Sequence, residues 1–240
     1  MSAVIRLLAV ALVGGTVAAG VVAVRRRDVS ATVNAAFSLT VATLPFALPA
    51  FVPGRVAEAV AAVPELSLWF AAAGFLHVLG MLGWYDTVWW WDHLTHSVSS
   101  ALLAALVYAA LVVVGRVGPR PVLPGATLAV VAVGFVFAVG VFWELFELLA
   151  RDLSERLDVD PVLVHYGWRD TGFDLVFDTL GALLVVAADL RVFVPVAAGA
   201  PDATRTALVW SGWAVVAGSA VMTAYLLVGW RIGTRGRSDG

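Results

Sequence analysis

Acidic residues and a histidine interrupt the apolar segments of this sequence at helical spacing. Residues three or four positions apart share one face of a helix, so each such pair can point its two side chains in one direction. Carboxylate oxygens combined with an imidazole nitrogen suit Mg²⁺, Mn²⁺ or Zn²⁺. The pairs are Asp92 with His96, Glu144 with Glu147, and Asp174 with Asp178. The spacing therefore predicts a divalent-metal site, provided that three helices bring these residues together.

The surrounding sequence predicts the helices that must position these pairs. Of the 240 residues, 61% are hydrophobic and 13% are charged, whereas a soluble domain is about half apolar and about a quarter charged. A helix needs about 20 mostly apolar residues to cross the hydrocarbon core. Segments of this kind cover residues 3–24, 31–52, 64–83, 93–115, 123–149, 172–190 and 207–229.

We therefore expect an all-α, polytopic transmembrane helix bundle of about seven spans, or six if the first or last segment is not a true span. Residues 1–240 form a single integral membrane domain in this prediction, with connecting loops at 53–63 and 191–206. For the first of these loops, a position in the membrane interface is an alternative.

Alternating spans place the three acidic pairs at the same side of the bundle. Cytoplasmic loops carry the excess of basic residues, and arginines are more frequent on the acidic side. We therefore expect a multi-pass protein of the cell membrane with its N-terminus outside and its C-terminus inside. The arginines of the acidic side are Arg25, Arg26, Arg27, Arg151, Arg156, Arg169, Arg231, Arg235 and Arg237. Those of the opposite side are Arg6, Arg55, Arg116, Arg120, Arg191 and Arg205.

Each feature also has a simpler structural interpretation. The tryptophans at 89–91 are typical of an aromatic belt at the membrane surface, and Asp92 is compatible with a helix cap. His77 alone in an apolar helix is typical of a hydrogen-bonded packing residue. Four further acids fall in a segment that we interpret as a polar loop: Asp152, Glu155, Asp158 and Asp160.

The six-residue set is harder to explain in this way. An acidic residue at the centre of a helix in lipid costs about 2.5–3.5 kcal/mol. Several acids on neighbouring helices also repel one another unless they are protonated, paired or bridged by a cation. The set is therefore better interpreted as functional, with Glu144 and Asp178 as the candidate catalytic residues.

The composition excludes several kinds of site. The chain has no cysteine, so disulfides, thiolate metal sites and cysteine nucleophiles are absent. The net charge is −2 and no basic run alternates with polar aromatic residues, so we expect no nucleic-acid partner. Neither a Gly-x-Ser-x-Gly nucleophile motif nor a glycine-rich phosphate loop occurs. Membrane lipid is the expected partner, and protein partners are unknown.

The ordered motifs resemble a known family. Asp-x3-His, Glu-x2-Glu and Asp-x3-Asp-x2-Gly-Ala, over about residues 64–190, resemble the YjdF-like inner-membrane proteins and, more remotely, the VanZ-like membrane proteins. The VanZ-like pattern has glutamine and asparagine where this chain has Glu147 and Asp178. The resemblance implies an integral membrane protein and no particular reaction. The matching residues are Asp92, His96, Glu144, Glu147, Arg169, Asp174, Asp178, Gly181 and Ala182.

Three hypotheses about function follow. The first is a metal-dependent enzyme that hydrolyses or transfers a lipid or lipid-linked phosphate, because a divalent metal polarises phosphoryl oxygens and activates water. The second is a proton or cation carrier whose acids exchange protons. The third is a structural or partner-binding membrane protein. Carriers usually have internal repeats and broken helices near the midplane. The sequence shows no repeat and its acids lie toward one face, which favours a site at that face.

Overall fold

The computed structural model describes residues 2–52, 54–115, 124–159, 163 and 166–238 of the chain. These residues are almost entirely helical, and none of them forms a strand. The elements are α1 (Ser2–Arg26), α2 (Val29–Phe51), α3 (Arg55–Ala62), α4 (Pro64–Leu79), a π-helical turn (Gly80–Trp84), α5 (Tyr85–Thr87), α6 (Trp91–Val114), α7 (Gly125–Leu157), α8 (Trp168–Ala187), α9 (Val194–Gly199) and α10 (Pro201–Ser238).

The predicted all-α, polytopic bundle is confirmed. Among the described residues, six helices are long and apolar enough to cross a membrane. A helix satisfies its backbone hydrogen bonds internally, which is what a hydrocarbon environment demands. These helices are Ala3–Arg26, Val29–Phe51, Pro64–Thr87, Trp91–Val114, Gly125–Leu157 and Pro201–Val228.

The remaining predicted span corresponds to α8, whose acidic residues make it less apolar than the others. It nevertheless runs parallel to α6 and spans a similar depth. His96 contacts Asp178 near one end of this pair of helices, and Tyr108 contacts Asp189 near the other. The two contacts join residues 82 and 81 positions apart, which is the constant offset expected for parallel neighbours.

The segments at the two ends of α8 contact opposite ends of the bundle. Near its start, Thr171 donates a hydrogen bond to Glu144, in the second half of α7. Beyond its end, α9 packs on α3, where a Cβ at Gly199 would lie 3.1 Å from the carbonyl oxygen of Arg55. Since α3 connects the end of α2 to the start of α4, α8 passes from one end of the bundle to the other. The seven long helices therefore alternate in direction.

Two segments predicted as loops contain short helices, so that part of the prediction is wrong. Residues 53–63 include α3, and residues 191–206 include α9 and the start of α10. Helix α3 buries Val60 beside Phe193, the residue before α9, and α9 itself packs partly buried side chains such as Val196 against the same core. These two segments are too short and too mixed in composition to show the apolar pattern of a membrane span. They are long enough for one or two helical turns.

The prediction of a polar loop after the fifth span is also wrong for most of that segment. Helix α7 continues to Leu157 and ends at Asp158, whose φ of 53° is left-handed. Salt bridges four residues apart, Arg151 with Glu155 and Arg156 with Asp152, stabilise this polar extension. Asp160 lies outside the described residues.

The main apolar core lies in the half of the bundle nearest α3 and α9. It contains Leu102 and Ala105 of α6, Val136 of α7 and Val185 of α8, together with Phe193. The acidic residues lie in the other half, toward the start of α6. One end of the bundle is therefore an apolar plug, and the other end carries the polar groups.

The alternating arrangement predicts which positions share a compartment. Because the chain has no cysteine, single-cysteine variants can be labelled with a membrane-impermeant maleimide. We expect Glu58→Cys and Asp202→Cys to react from one side, and Arg27→Cys and Trp168→Cys to react from the other. Labelling of Trp168→Cys and Asp202→Cys from the same side would mean that α8 does not cross the membrane.

Candidate functional site

His96 lies at the centre of a group of three aspartates supplied by two helices. Its Nδ1 atom is 3.2 Å from Oδ1 of Asp178, and its Nε2 atom is 3.7 Å from Oδ1 of Asp174. The same Nε2 atom is 3.8 Å from Oδ1 of Asp92, one turn earlier on α6. Nδ1 therefore faces one carboxylate, that of Asp178, and Nε2 faces two, those of Asp174 and Asp92.

Close packing of α6 against α8 makes these contacts geometrically possible. At Gly181, a Cβ atom would overlap Oγ of Ser100 and the carbonyl oxygen of Ser97. Only a glycine lets α8 come this close to α6. Asp178 and Asp174 lie about one and two turns before Gly181, and the same approach brings their side chains to His96.

Asp174 is the most enclosed carboxylate of the group. The residue is 3% exposed, and its Oδ1 atom accepts no hydrogen bond from the described residues. Burying a carboxyl oxygen that accepts no hydrogen bond is costly, so an atom of this kind is unusual in a folded protein. This atom faces Nε2 of His96, at the side of the imidazole where Asp92 also lies.

Asp92, His96 and Asp174 together offer three ligand atoms that lie within 4.8 Å of one another. Asp92 is not a helix cap, because α6 begins at Trp91 and the cap position is Trp90. The carboxylate of Asp92 is therefore available to the group.

The two glutamates of α7 differ in their surroundings. Glu147 accepts a hydrogen bond of 2.8 Å from Nε1 of Trp143 and lines the same cavity as Asp92, His96 and Asp174. Glu144 is 5% exposed and accepts a 2.6 Å hydrogen bond from Thr171. It is not among the residues that line this cavity. The structure thus gathers five of the six predicted residues around His96 or its cavity and places Glu144 beside α8.

Two cavities meet at His96. A small polar cavity of about 50 Å³ is lined by Asp92, Glu147, Asp170 and Asp174, with Tyr85 and Tyr166 nearby. A water occupies about 10–15 Å³ on such a measure, so the space admits a small cation with bound water. A larger cavity of about 310 Å³ lies deeper and has mostly apolar walls. The residues shared by both cavities are Asn34, His77, His96 and Trp143.

His77 is held by hydrogen bonds at both ring nitrogens. Nδ1 lies 2.7 Å from the Tyr85 hydroxyl, and Nε2 lies 3.0 Å from Oγ of Ser99. The Tyr85 ring folds back against Gly80, where a Cβ atom would overlap it. The interpretation of His77 as a hydrogen-bonded packing residue agrees with these contacts, although its ring also lines both cavities.

The three consecutive tryptophans do not act alike. Trp89 is 82% exposed and suits the predicted aromatic belt, whereas Trp91 is 6% exposed. The indole of Trp91 points into the bundle, and its Nε1 donates a 3.0 Å hydrogen bond to the carbonyl oxygen of Leu76. Trp91 therefore fixes the start of α6 against α4, directly before Asp92. His93 points away from the cluster and stacks on Phe177 at 4.3 Å.

Several residues near the cluster were not predicted from the sequence. Asn34 lines both cavities and is an isolated amide in the apolar α2 segment, a signal that the sequence offered. Tyr166 lies in the connection before α8, and its hydroxyl donates a 3.1 Å hydrogen bond to Asp86. Partial burial, and then this hydrogen bond, raise the pKa of Tyr166 above its ordinary value, so the phenol stays protonated and can donate. Nothing in the local sequence marks Tyr166.

Comparison with known protein families finds a match over most of the chain. A model described as "Predicted membrane protein (DUF2238)" matches residues 5–194. The chain belongs to this family. The matched region includes every residue of the cluster and ends before α10.

An uncharacterized protein of Thermotoga maritima is 32% identical over 126 residues, which is 50% of this chain and 59% of the relative. The chain thus aligns with less than two thirds of that relative. No solved structure matches the chain. The family assignment therefore establishes a multi-pass membrane protein and brings no reaction with it.

The packing at Gly181 can be tested directly. Gly181→Ala should lower the free energy of unfolding by about 1–3 kcal/mol, because the added methyl forces α8 away from α6. Gly172→Ala is a matched control on the same helix, since no atom lies within 4 Å of the added Cβ, and alanine favours helix. Thermal unfolding in detergent measures both. Equal stability of the two variants would show that the close approach at Gly181 is not required.

Proposed function

We propose that the protein binds a divalent cation through Asp92, Nε2 of His96 and Asp174, and uses it to hydrolyse a phosphate ester carried by a membrane lipid. The observation that supports the cation most strongly is the buried Oδ1 atom of Asp174, which accepts no hydrogen bond from a described residue although it belongs to the three-residue group. A cation between these atoms supplies the missing partner and offsets the repulsion of the acids.

The surroundings of His96 support the same assignment. Histidines that bind metals generally donate their other ring N–H to a carboxylate, which fixes the tautomer and the ring orientation. Here Nδ1 faces Asp178 at 3.2 Å, which leaves Nε2 for the ion. Asp178 thereby becomes a positioning residue and not a direct ligand. Glu147 lines the same cavity, so its carboxylate would face a water or a further ligand bound to the ion.

Nearby arginines do not account for the neutralisation of the cluster. In the described part of the chain, Arg151 pairs with Glu155, Arg156 with Asp152, and Arg191 with Asp189. All three pairs lie at the ends of helices. A protonated His96 is the alternative source of positive charge, and it predicts a protein indifferent to metal.

The position of the polar groups favours a site at one face over a transport pathway. Polar side chains line the interior from Asp92 to Ser100 on α6, and beyond Ser100 the buried residues of α6 are apolar except for Tyr108, whose hydroxyl donates a hydrogen bond to Asp189 near the other end. A carrier needs polar groups or water at successive depths. The apolar plug at the α3 end offers no such sequence of groups among the described residues.

Hydrolysis is the reaction that the donor set suits best. A divalent ion held by carboxylates and one imidazole polarises a phosphoryl oxygen and activates water. Water adds its oxygen to phosphorus, the bond from phosphorus to the lipid oxygen breaks, and that oxygen takes up a proton. The products are an alcohol and inorganic phosphate. Carboxylate ligands suit Mg²⁺ or Mn²⁺, and the imidazole also suits Zn²⁺.

The orientation follows from the arginines of the connecting segments. The acidic end of the bundle carries more arginines than the opposite end. Two arginines assigned to the opposite end, Arg116 and Arg120, lie outside the described residues. The positive-inside rule then puts the site toward the cytoplasm of the cell, with the N-terminus outside. The YjdF-like and, more remotely, VanZ-like motif pattern is consistent with an inner-membrane location.

Metal binding should be visible in the stability of the purified protein. At a hundred times the dissociation constant, a ligand of the folded state adds about 2.7 kcal/mol to the free energy of unfolding. We expect Mg²⁺, Mn²⁺ or Zn²⁺ to raise the melting temperature and EDTA to lower it. Asp174→Asn should abolish the response, because it removes the charge of the most buried ligand without changing its shape.

Glu155→Gln is the matched control, since it removes an exposed acid that pairs with Arg151 at the end of α7. Its response to metal should equal that of the unaltered protein. If the melting temperature of the unaltered protein is the same with metal and with EDTA, the cation proposal is wrong and a protonated His96 neutralises the acids.

Phosphate release tests the reaction. With dodecyl phosphate or lysophosphatidic acid in detergent, the protein should release phosphate in a metal-dependent manner. Asp178→Asn should lower the rate about 10–100-fold, the usual effect of removing the carboxylate that orients a metal-binding histidine. Glu155→Gln should retain the full rate. If the protein binds metal but releases phosphate from neither lipid, the cation site is supported and the hydrolysis proposal is wrong.

A further inference from the structure

The larger cavity extends from His96 into the membrane-spanning part of the bundle. Its volume is about 310 Å³, at the lower end of the roughly 300–1,000 Å³ typical of ligand cavities. The walls are apolar side chains of α2, α4, α6 and α7, including Val41, Phe70, Leu103 and Val139. The polar atoms of the lining lie toward one end, where His96 and Asp178 contact each other.

This cavity has a side opening between two helices. Helices α2 and α7 both line it, yet they pack little against each other, so a gap separates them. Phe37 of α2 and Trp143 of α7 line the cavity and are 69% and 38% exposed. Both helices are spans, so the medium outside this gap is the hydrocarbon of the bilayer. A molecule that enters between them comes from the membrane.

We infer that the gap between α2 and α7 admits a single hydrocarbon chain of a membrane amphiphile, whose polar head then lies at His96 beside the small polar cavity. Where that head is a phosphate ester, the inference rests on the function proposed above and names its substrate class. A substrate with one chain fits because the cavity is near the lower size limit for ligands, and two full chains need a larger volume.

Three features of the molecule support a chain over other occupants. The lining is mostly apolar away from the His96 end of the cavity, which suits hydrocarbon. The opening lies between two spans, so its natural source of ligand is the bilayer. The inner end is continuous with the polar cavity through His96, His77, Asn34 and Trp143. An amphiphile is the class of molecule whose two parts match these two adjoining spaces.

Photolabelling of the purified protein tests this inference. The probes are dodecyl phosphate and dodecanol, each with a diazirine near the end of the chain, and mass spectrometry locates the attached label. We expect both probes to label cavity residues of α2 and α7. Val139→Trp should reduce this labelling about tenfold, equivalent to about 1.4 kcal/mol of binding free energy, because the larger ring fills the cavity from α7.

Val41→Trp fills the same space from α2, so the test does not depend on the folding of one variant. The matched controls are Val130→Trp on α7 and Val33→Trp on α2, whose side chains are 73% and 46% exposed and do not line the cavity. Both controls should label like the unaltered protein. Labelling spread over the outer surfaces of the helices, or cavity labelling that neither Val139→Trp nor Val41→Trp reduces, overturns the inference.

The two probes separate this inference from the proposed function. Dodecanol tests the cavity alone, and its labelling should not depend on metal. Dodecyl phosphate should label more strongly with Mg²⁺ or Mn²⁺, and Asp174→Asn should remove that increase. Cavity labelling by dodecanol with no effect of metal on either probe supports the chain site while contradicting the cation. Metal-dependent melting without cavity labelling contradicts the chain site only.

Discussion

Carboxylates buried within a membrane protein need a compensating partner, and the structure is arranged around that constraint. Asp174 and Asp178 on α8 are brought to His96 on α6, and Glu144 on α7 receives a hydrogen bond from Thr171 on α8. Each of these contacts requires α8 to lie deep within the bundle, close to α6 at Gly181. An imidazole between three aspartates compensates only part of their charge, and this deficit is the physical reason to expect a cation.

Much of this arrangement could be predicted from the sequence because membrane helices follow simple rules. Long apolar segments fix the helices, and alternation of direction fixes which ends meet. The i,i+4 spacing of Asp92 with His96 and of Asp174 with Asp178 then fixes which faces carry the polar groups. Small residues at Gly181 and Ala182 indicate where two helices approach. The cluster is therefore predictable to the level of which helices contribute and at which end of the bundle they meet.

The details depend on packing, which the spacing of residues does not determine. Glu144 and Glu147 are equivalent in the sequence pattern, yet one bonds Thr171 and the other lines the cavity. Trp91 belongs to a run typical of the interface but points inward to Leu76. Helix α3 was missed because its eight residues are too few for a spanning pattern. The gap between α2 and α7 arises from the absence of close packing, for which a single sequence carries no signal.

The gap and the cluster have related physical origins. Polar groups at the start of α6 need space for a partner, so the helices around them cannot close into a fully packed apolar core. The other half of the bundle has no such requirement and packs Leu102, Val136 and Val185 tightly. A cavity that begins at His96 and is bounded by this core can open only sideways or toward the acidic end. If the cavity holds an amphiphile as inferred above, the position of the cluster sets where its polar head lies, and the gap between α2 and α7 sets the direction from which it arrives.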